Sequence, residues 1–221
     1  MIRLDFAQGS DDWKYARLGI PTASEFHRII TPSMKKSGSW DKYAQELLAE
    51  EMLDHPIDES ESQFMTRGSD LERDARKYYE FVQGVTLDAA GFIVRDDGLV
   101  GCSPDSLAGD DGGLEIKAKS AAIHVGYLVG FADREFKTQV QGCLWLTGRK
   151  WWDLLLYNPE LPSAIHRIER DEKFIAEIEH LVNEFIQFLA HCRQELVLGG
   201  YLSRESIEAR RVKRQEMGLP C

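Results

Sequence analysis

CSPDSLAGDDGGLEIK, residues 102–117, is the stretch on which the reading of the fold turns. Its centre, Gly109, Asp110, Asp111, Gly112 and Gly113, is a run of turn formers. Such a run between two β-prone segments predicts an antiparallel hairpin, here centred near Asp110. On that register Asp105 faces Glu115 and Ser103 faces Lys117, with directly opposed residues roughly 4.5–5.5 Å apart. Residues two apart on a strand share a face, so Ser103, Asp105, Glu115 and Lys117 are expected together on one side. Val100, Leu114 and Ile116 are then offered to the core from the other side. Pro104 interrupts this pattern, because proline within a strand implies an edge or a bulge.

Two opposed carboxylates repel unless a cation lies between them. Hard oxygen donors suit Mg²⁺ or Mn²⁺. Such an ion can bind a phosphate oxygen and acidify water, and a neighbouring lysine can orient or help deprotonate that water. The constellation therefore predicts metal-assisted phosphodiester hydrolysis. Spacing alone equally allows an ordinary surface hairpin in which Asp105 caps a turn and Glu115 pairs with Lys117.

Outward from the hairpin, Asp11–Ile30 reads as helical, with Ser10 or Asp11 as a cap and Thr22 to Glu25 as a capping box opening a second helix. Trp40–Leu53 is a helix with Tyr43, Leu47, Leu48 and Met52 on its apolar side. The segment 55–63 is a loop, and Phe64–Val82 is a helix with Leu71, Ala75, Tyr78 and Val82 near helical spacing. Strands are expected at Phe92–Val94, Leu99–Leu107, Leu114–Ala118, Trp151–Tyr157 and Ile165–Glu169. A helix Phe136–Leu146 lies between the third and fourth of these. Asp171–Leu198 is a long amphipathic helix with Phe174, Ile178, Leu181, Phe185 and Leu189 on one stripe. This order gives a mixed α/β, or α+β, domain over residues 1–200. The segment 201–221 carries Arg204, Arg210, Arg211, Lys213 and Arg214, and reads either as a solvated terminal helix or as a basic arm touching DNA or a neighbouring subunit.

The chain has 221 residues, 43% hydrophobic and 29% charged, which supports a sizeable core and excludes disorder. No apolar run approaches the roughly 20 residues of a membrane span, and the start, Met1 to Asp5, is not built like a signal peptide. Cys102, Cys143, Cys192 and Cys221 form no C-x-x-C pair and the six histidines no H-x-x-x-H pair, so neither a zinc site nor a disulfide framework is implied. A reduced, cytoplasmic setting is expected. The net charge of -10 argues against coating nucleic acid by bulk positive charge but leaves room for a local basic groove.

Pro104 and Asp105 followed by Glu115, Ile116 and Lys117 resemble the PD-(D/E)xK signature of restriction-endonuclease-like nucleases. Further blocks resemble, in order, the lambda-exonuclease and YqaJ-type viral-recombinase nucleases: Arg17 to Gly19, Thr22 to Glu25, Arg67 and Gly68, Glu72 to Arg76, Cys102 to Asp105, Gln139 to Gln141, and Ile168 to Lys173. They cover the chain to about Gly199.

The resemblance implies a central mixed sheet flanked by helices. It also implies a two-metal, Mg²⁺-dependent exonuclease, with Mn²⁺ as a substitute. Such an enzyme digests one strand of linear duplex DNA from a phosphorylated 5′ end and leaves a 3′ tail for recombination by strand annealing. Asp105, Glu115 and the backbone carbonyl of Ile116 are then metal ligands, Lys117 positions or activates water, and Glu72 serves the second metal or its waters. Read alone, Glu72 is a helix salt bridge to Arg76.

The 5′-phosphate pocket is implied to hold Arg17, Ser24, Ser103 and Gln141; alone, Arg17 reads as a surface charge and Gln141 as a helix-exterior amide. Met65 aligns with an apolar wedge at the duplex end, and reads equally as core packing. A ring-shaped homotrimer and a single-strand annealing protein are the implied partners. Where the lambda enzyme has cysteine and proline after the lysine, this chain has Ala118 and Lys119. The alternatives are an endonuclease on the same fold, or an inactive module that binds DNA ends or a partner.

Overall fold

The computed structural model describes residues 1–57, 62–130 and 132–220, with the backbone alone at 62–70 and 132–135. Elements run β1 (Ile2–Leu4), α1 (Asp11–Arg17), a 3₁₀ turn (Ala23–Arg28), α2 (Trp40–Leu53), α3 (Ser62–Gln83) and β2 (Leu87–Asp88). They continue with β3 (Phe92–Val94), β4 (Gly101–Cys102), β5 (Ser106–Ala108), β6 (Gly112–Ala118), α4 (Ala121–Leu128) and α5 (Ala132–Thr147). The chain ends with β7 (Trp151–Tyr157), β8 (Ala164–Glu169), α6 (Glu172–Leu198) and α7 (Arg204–Glu216).

A five-stranded sheet, β2-β5-β6-β7-β8, forms the centre, and β1-β3-β4 form a smaller one. Within the larger sheet only β6 and β7 are parallel. Parallel neighbours need a crossover, and α4 and α5 supply it. The run WWDLLLY in β7 is apolar almost throughout because both faces of the sheet are covered. Trp152, Leu154 and Leu156 join the main core with α2, α5 and α6. Leu155 turns the other way, packing with Leu114 and Ile116 of β6 against Ala75 and Tyr79 of α3. Glu115 and Lys117, alternating with Leu114 and Ile116, therefore face α5.

The hairpin turns where its glycines and aspartates require, pairing Ser106 with Leu114, Leu107 with Gly113 and Ala108 with Gly112. Its other arm differs from expectation. Instead of one strand over Leu99–Leu107, the chain pairs β4 with β3, passes Pro104, and enters the larger sheet as β5. Proline offers no N–H to a ladder, so the ladder ends before Asp105. Ser103 consequently does not stand opposite Lys117 in a sheet, and Val100 lies in the main core, apart from Leu114 and Ile116.

Three further expectations are corrected. Thr22 caps nothing; the chain makes a 3₁₀ turn, and the Thr22 hydroxyl lies 3.2 Å from that of Ser24. Met52 and Val82 are exposed, their places on the buried stripes taken by Ala44 and Tyr79. β1, β2 and α4 were not anticipated. Elsewhere Ser10 caps α1, accepting from the N–H of Trp13, and Asp171 caps α6, accepting from the N–H of Phe174.

The terminal segment forms α7, capped by Ser203 and folded back on the body. Arg214 is buried and donates to the carbonyls of Ala16 and Gly98, while Leu219 packs with Leu4 and Phe92. Lys213 pairs with Asp54. Much of the tail's positive charge is thereby engaged by the protein itself.

Candidate active site

Asp105 sits in the bend after Pro104, and its Oδ2 accepts from the N–H of Ile116 at 2.5 Å. That bond takes the place of the missing ladder pair and holds the carboxylate beside β6. Glu115 is buried. Its Oε1 accepts from Lys117 Nζ at 2.8 Å and from Gln139 Nε2 at 2.6 Å. Its Oε2 is buried without a hydrogen-bond partner. Lys117 Nζ also donates to Gln139 Oε1 at 3.1 Å and lies 4.3 Å from the centre of the Phe136 ring.

These groups bias one another. Burial, then the negative charges of Glu115 and Glu72, raises the Asp105 carboxyl well above the ordinary carboxylate range. Burial draws the Lys117 ammonium down, but the charge and hydrogen bond of Glu115 outweigh it and hold the amine above its usual value. Glu72, on α3, is raised by burial, with Arg76 and Lys117 opposing and Glu115 adding to the rise. Lys117 is thus held as an ammonium donor toward Glu115, while Asp105 and Glu72 are both raised, burial being the largest cause for each.

All three hairpin residues line a cavity of about 620 Å³ together with Arg17, Ser24, Ser103 and Gln139. Ser103, although outside any ladder, faces this space because two donors aim its hydroxyl oxygen: Trp13 Nε1 at 3.0 Å and Arg17 NH1 at 2.8 Å. The Arg17 guanidinium stacks over the Trp13 ring at 4.3 Å, and burial lowers its pKa from the ordinary arginine value. A guanidinium, hydroxyls and a carboxamide around one pocket are the donors a terminal phosphate needs.

Gln141 is not part of this pocket. Its Nε2 donates to the carbonyl of Glu169 at 2.8 Å and its Oε1 accepts from the N–H of Asp171 at 3.0 Å, so it locks the corner between β8 and α6. Residues two apart on a helix point about 200° apart, and the glutamine facing the acids is Gln139. The signal was available: Phe136, Gln139 and Cys143 recur at i, i+3 and i+7, and all three line the cavity. Gln8 was also missed; its Nε2 donates to the carbonyl of Pro104 at 2.7 Å, bracing the bend that presents Asp105. Met65 lies outside the residues whose side chains are described.

Among the described residues no three His, Cys, Asp or Glu side chains converge closely enough to cage an ion. The donor set is smaller: two acids from β6 and the bend before β5, with Glu72 acting on them through space. It nevertheless fits a hard cation. Glu115 keeps a buried, unpartnered carboxylate oxygen, and Asp105 is destabilised by like charge, a combination that a divalent ion relieves.

The profile of the YqaJ-like viral recombinase domain matches residues 12–150. Among solved structures, the chain is similar to an alkaline exonuclease from Laribacter hongkongensis: 32% identity, 86% of this chain and 98% of that one, TM-score 0.77. A complex of that enzyme with dAMP matches at 32% identity over 88% and 100% of the two chains, TM-score 0.77. A phage-related exonuclease from Haemophilus somnus shares the fold at 14% identity, over 80% and 96% of the chains, TM-score 0.66. No curated protein gives a significant match.

Proposed function

Starting from the fact that this chain belongs to the YqaJ-like viral recombinase domain family, we propose that it is a divalent-metal-dependent exonuclease. In this reading it digests one strand of linear duplex DNA from a 5′-phosphorylated end and leaves a 3′ single-stranded tail. One observation carries the reading: Asp105, Glu115 and Lys117 share a cavity with the Arg17–Ser103 pair. On this reading a hydrolytic centre lies beside a receptor for a terminal phosphate.

Asp105, Glu115 and the Ile116 carbonyl would hold a Mg²⁺ or Mn²⁺ ion, with Glu72 serving a second. When bound, such ions neutralise phosphate charge and acidify water. The chain's own groups do the remaining work. Arg17 and the hydroxyls of Ser24 and Ser103 grip the 5′-phosphate, which sets the distance to the first internal linkage. Lys117, kept protonated by Glu115, orients the attacking water by donation. Gln139 holds both partners of that pair, and Trp13 keeps Ser103 and Arg17 in place.

Digestion of a linear duplex carrying a single 5′-phosphate should require Mg²⁺ and shorten the phosphorylated strand from its 5′ end. Arg17→Ala should cost roughly tenfold or more on phosphorylated ends while sparing hydroxyl ends. Equal use of both ends by wild type and variant would remove the pocket from the account. Cleavage of covalently closed circles would favour the endonuclease reading instead.

The ring-shaped homotrimer and the annealing partner belong to the same proposal, supported by family membership. Among the described residues no helix is long and apolar enough to cross a membrane. A cytoplasmic setting is likewise proposed, supported by the free thiols of Cys102, Cys143 and Cys192.

A further inference from the structure

A second cavity, of about 650 Å³, opens on the other side of Asp105. The two cavities have Gln8 and Asp105 in common, so the bend that carries the catalytic acid is a wall between them. The first holds Arg17 and Lys117. The second is lined by three guanidinium side chains, Arg3, Arg73 and Arg76, with Asp5 and Glu72 also on its walls.

Two of these arginines are informative. Arg3 is oriented from behind by Asp5 at 3.0 Å and by the carbonyl of Ala89. Arg76 is half-buried on α3, and its Nε is buried with no hydrogen-bond partner. A buried N–H without an acceptor is costly, and it is the rest of the Arg76 guanidinium, on the cavity wall, that offers donors to a ligand. The functional pocket on one side takes a 5′-phosphate, and the acids take the linkage to be cut. A strand with its 5′-phosphate at Arg17 and its linkage at the acids would, on continuing past Asp105, meet the second cavity, because that residue lines both.

We propose that this cavity is a subsite for the phosphate next to the scissile linkage on its 3′ side, with Arg76 as the contacting residue. It rests on the exonuclease reading above, and extends it from the end being removed to the strand being kept. Holding that phosphate through each cut would retain the shortened strand for the next one. Glu72 shares the wall, so the subsite also couples the retained strand to the acid on α3.

The test is single-turnover release of the first nucleotide from 5′-phosphorylated duplexes. One duplex is all-phosphate; the other carries an uncharged methylphosphonate at the second linkage from the 5′ end. Wild type should release the first nucleotide about tenfold more slowly from the methylphosphonate duplex. Arg76→Ala should be slowed to a similar degree on the all-phosphate duplex and lose nothing further on the modified one. Wild type indifferent to the modification, or losses that multiply in Arg76→Ala, would overturn the proposal. Should Arg76→Ala fail to fold, Arg76→Gln replaces it, and the wild-type comparison stands independently. No release from the all-phosphate duplex would instead count against the exonuclease reading itself.

Discussion

Asp105→Asn should abolish nearly all digestion while leaving the fold at least as stable as before. Loss of one group that stabilises transition-state charge typically costs a hundredfold to a thousandfold, and loss of a metal ligand adds to that, so a fall of roughly a thousandfold or more is expected. Stability should move the other way. The ionised carboxylate is opposed by burial and by Glu115 and Glu72, so its negative charge weakens the folded state in the absence of a cation. The asparagine Oδ1 can still accept from the N–H of Ile116, which Asp105 does at 2.5 Å. Single-turnover digestion with Mg²⁺, paired with thermal unfolding in chelator, checks both halves. A variant that is inactive because it melts several degrees early would show the acid to be structural.

Asp153→Ala should be the most damaging change away from the cavity. Asp153 is 1% exposed on β7. It accepts from Arg167 Nε and NH2 at 2.8 and 2.9 Å, and from the Tyr79 hydroxyl at 2.6 Å. Burial, and then Asp153 itself, pushes the Tyr79 phenol far above its usual value, so it stays a donor. The network joins α3 to β7 and β8 across the face opposite the acids. Removing the carboxylate strands the buried Tyr79 phenol at a cost of about 1–3 kcal/mol, while the half-exposed Arg167 side chain turns to water. For a chain of this size that corresponds to a fall in Tm of roughly 5 °C. Asp153→Leu combined with Arg167→Leu should recover only part of the loss, because the guanidinium is then no longer left without its carboxylate but the buried Tyr79 hydroxyl still is. Equal melting of wild type and Asp153→Ala would show that the network contributes little.

The same two regions show what could be read from the chain and what could not. The glycine-aspartate turn at 109–113 states its own geometry, and β7 and α6 carry patterns long enough to be unambiguous. β1 and β2 are three and two residues long. Such strands exist only through partners far along the chain, Val94 to Phe92 for β1 and Ala108 to Leu107 for β2, so local pattern cannot reveal them. α4, AAIHVGYL, lacks a clear polar face and leaves Ile123 and Val125 exposed, and it therefore gives little periodic signal. In the cavity, Asp105, Glu115 and Lys117 were legible because one turn brings them together. Their delivery was not: Asp105 arrives by a side-chain bond to Ile116 rather than a ladder pair. Choosing Gln139 over Gln141 required knowing which side of α5 faces the sheet, a tertiary fact that becomes visible only through the Phe136–Cys143 stripe.

Anomalous diffraction from crystals of the wild-type protein soaked in Mn²⁺ tests the metal site most directly. An ion should be coordinated jointly by the carboxylates of Asp105 and Glu115, and no ion should sit at that position in Asp105→Asn. Manganese bound elsewhere, with these two side chains turned apart in an enzyme that still digests DNA, would contradict that site.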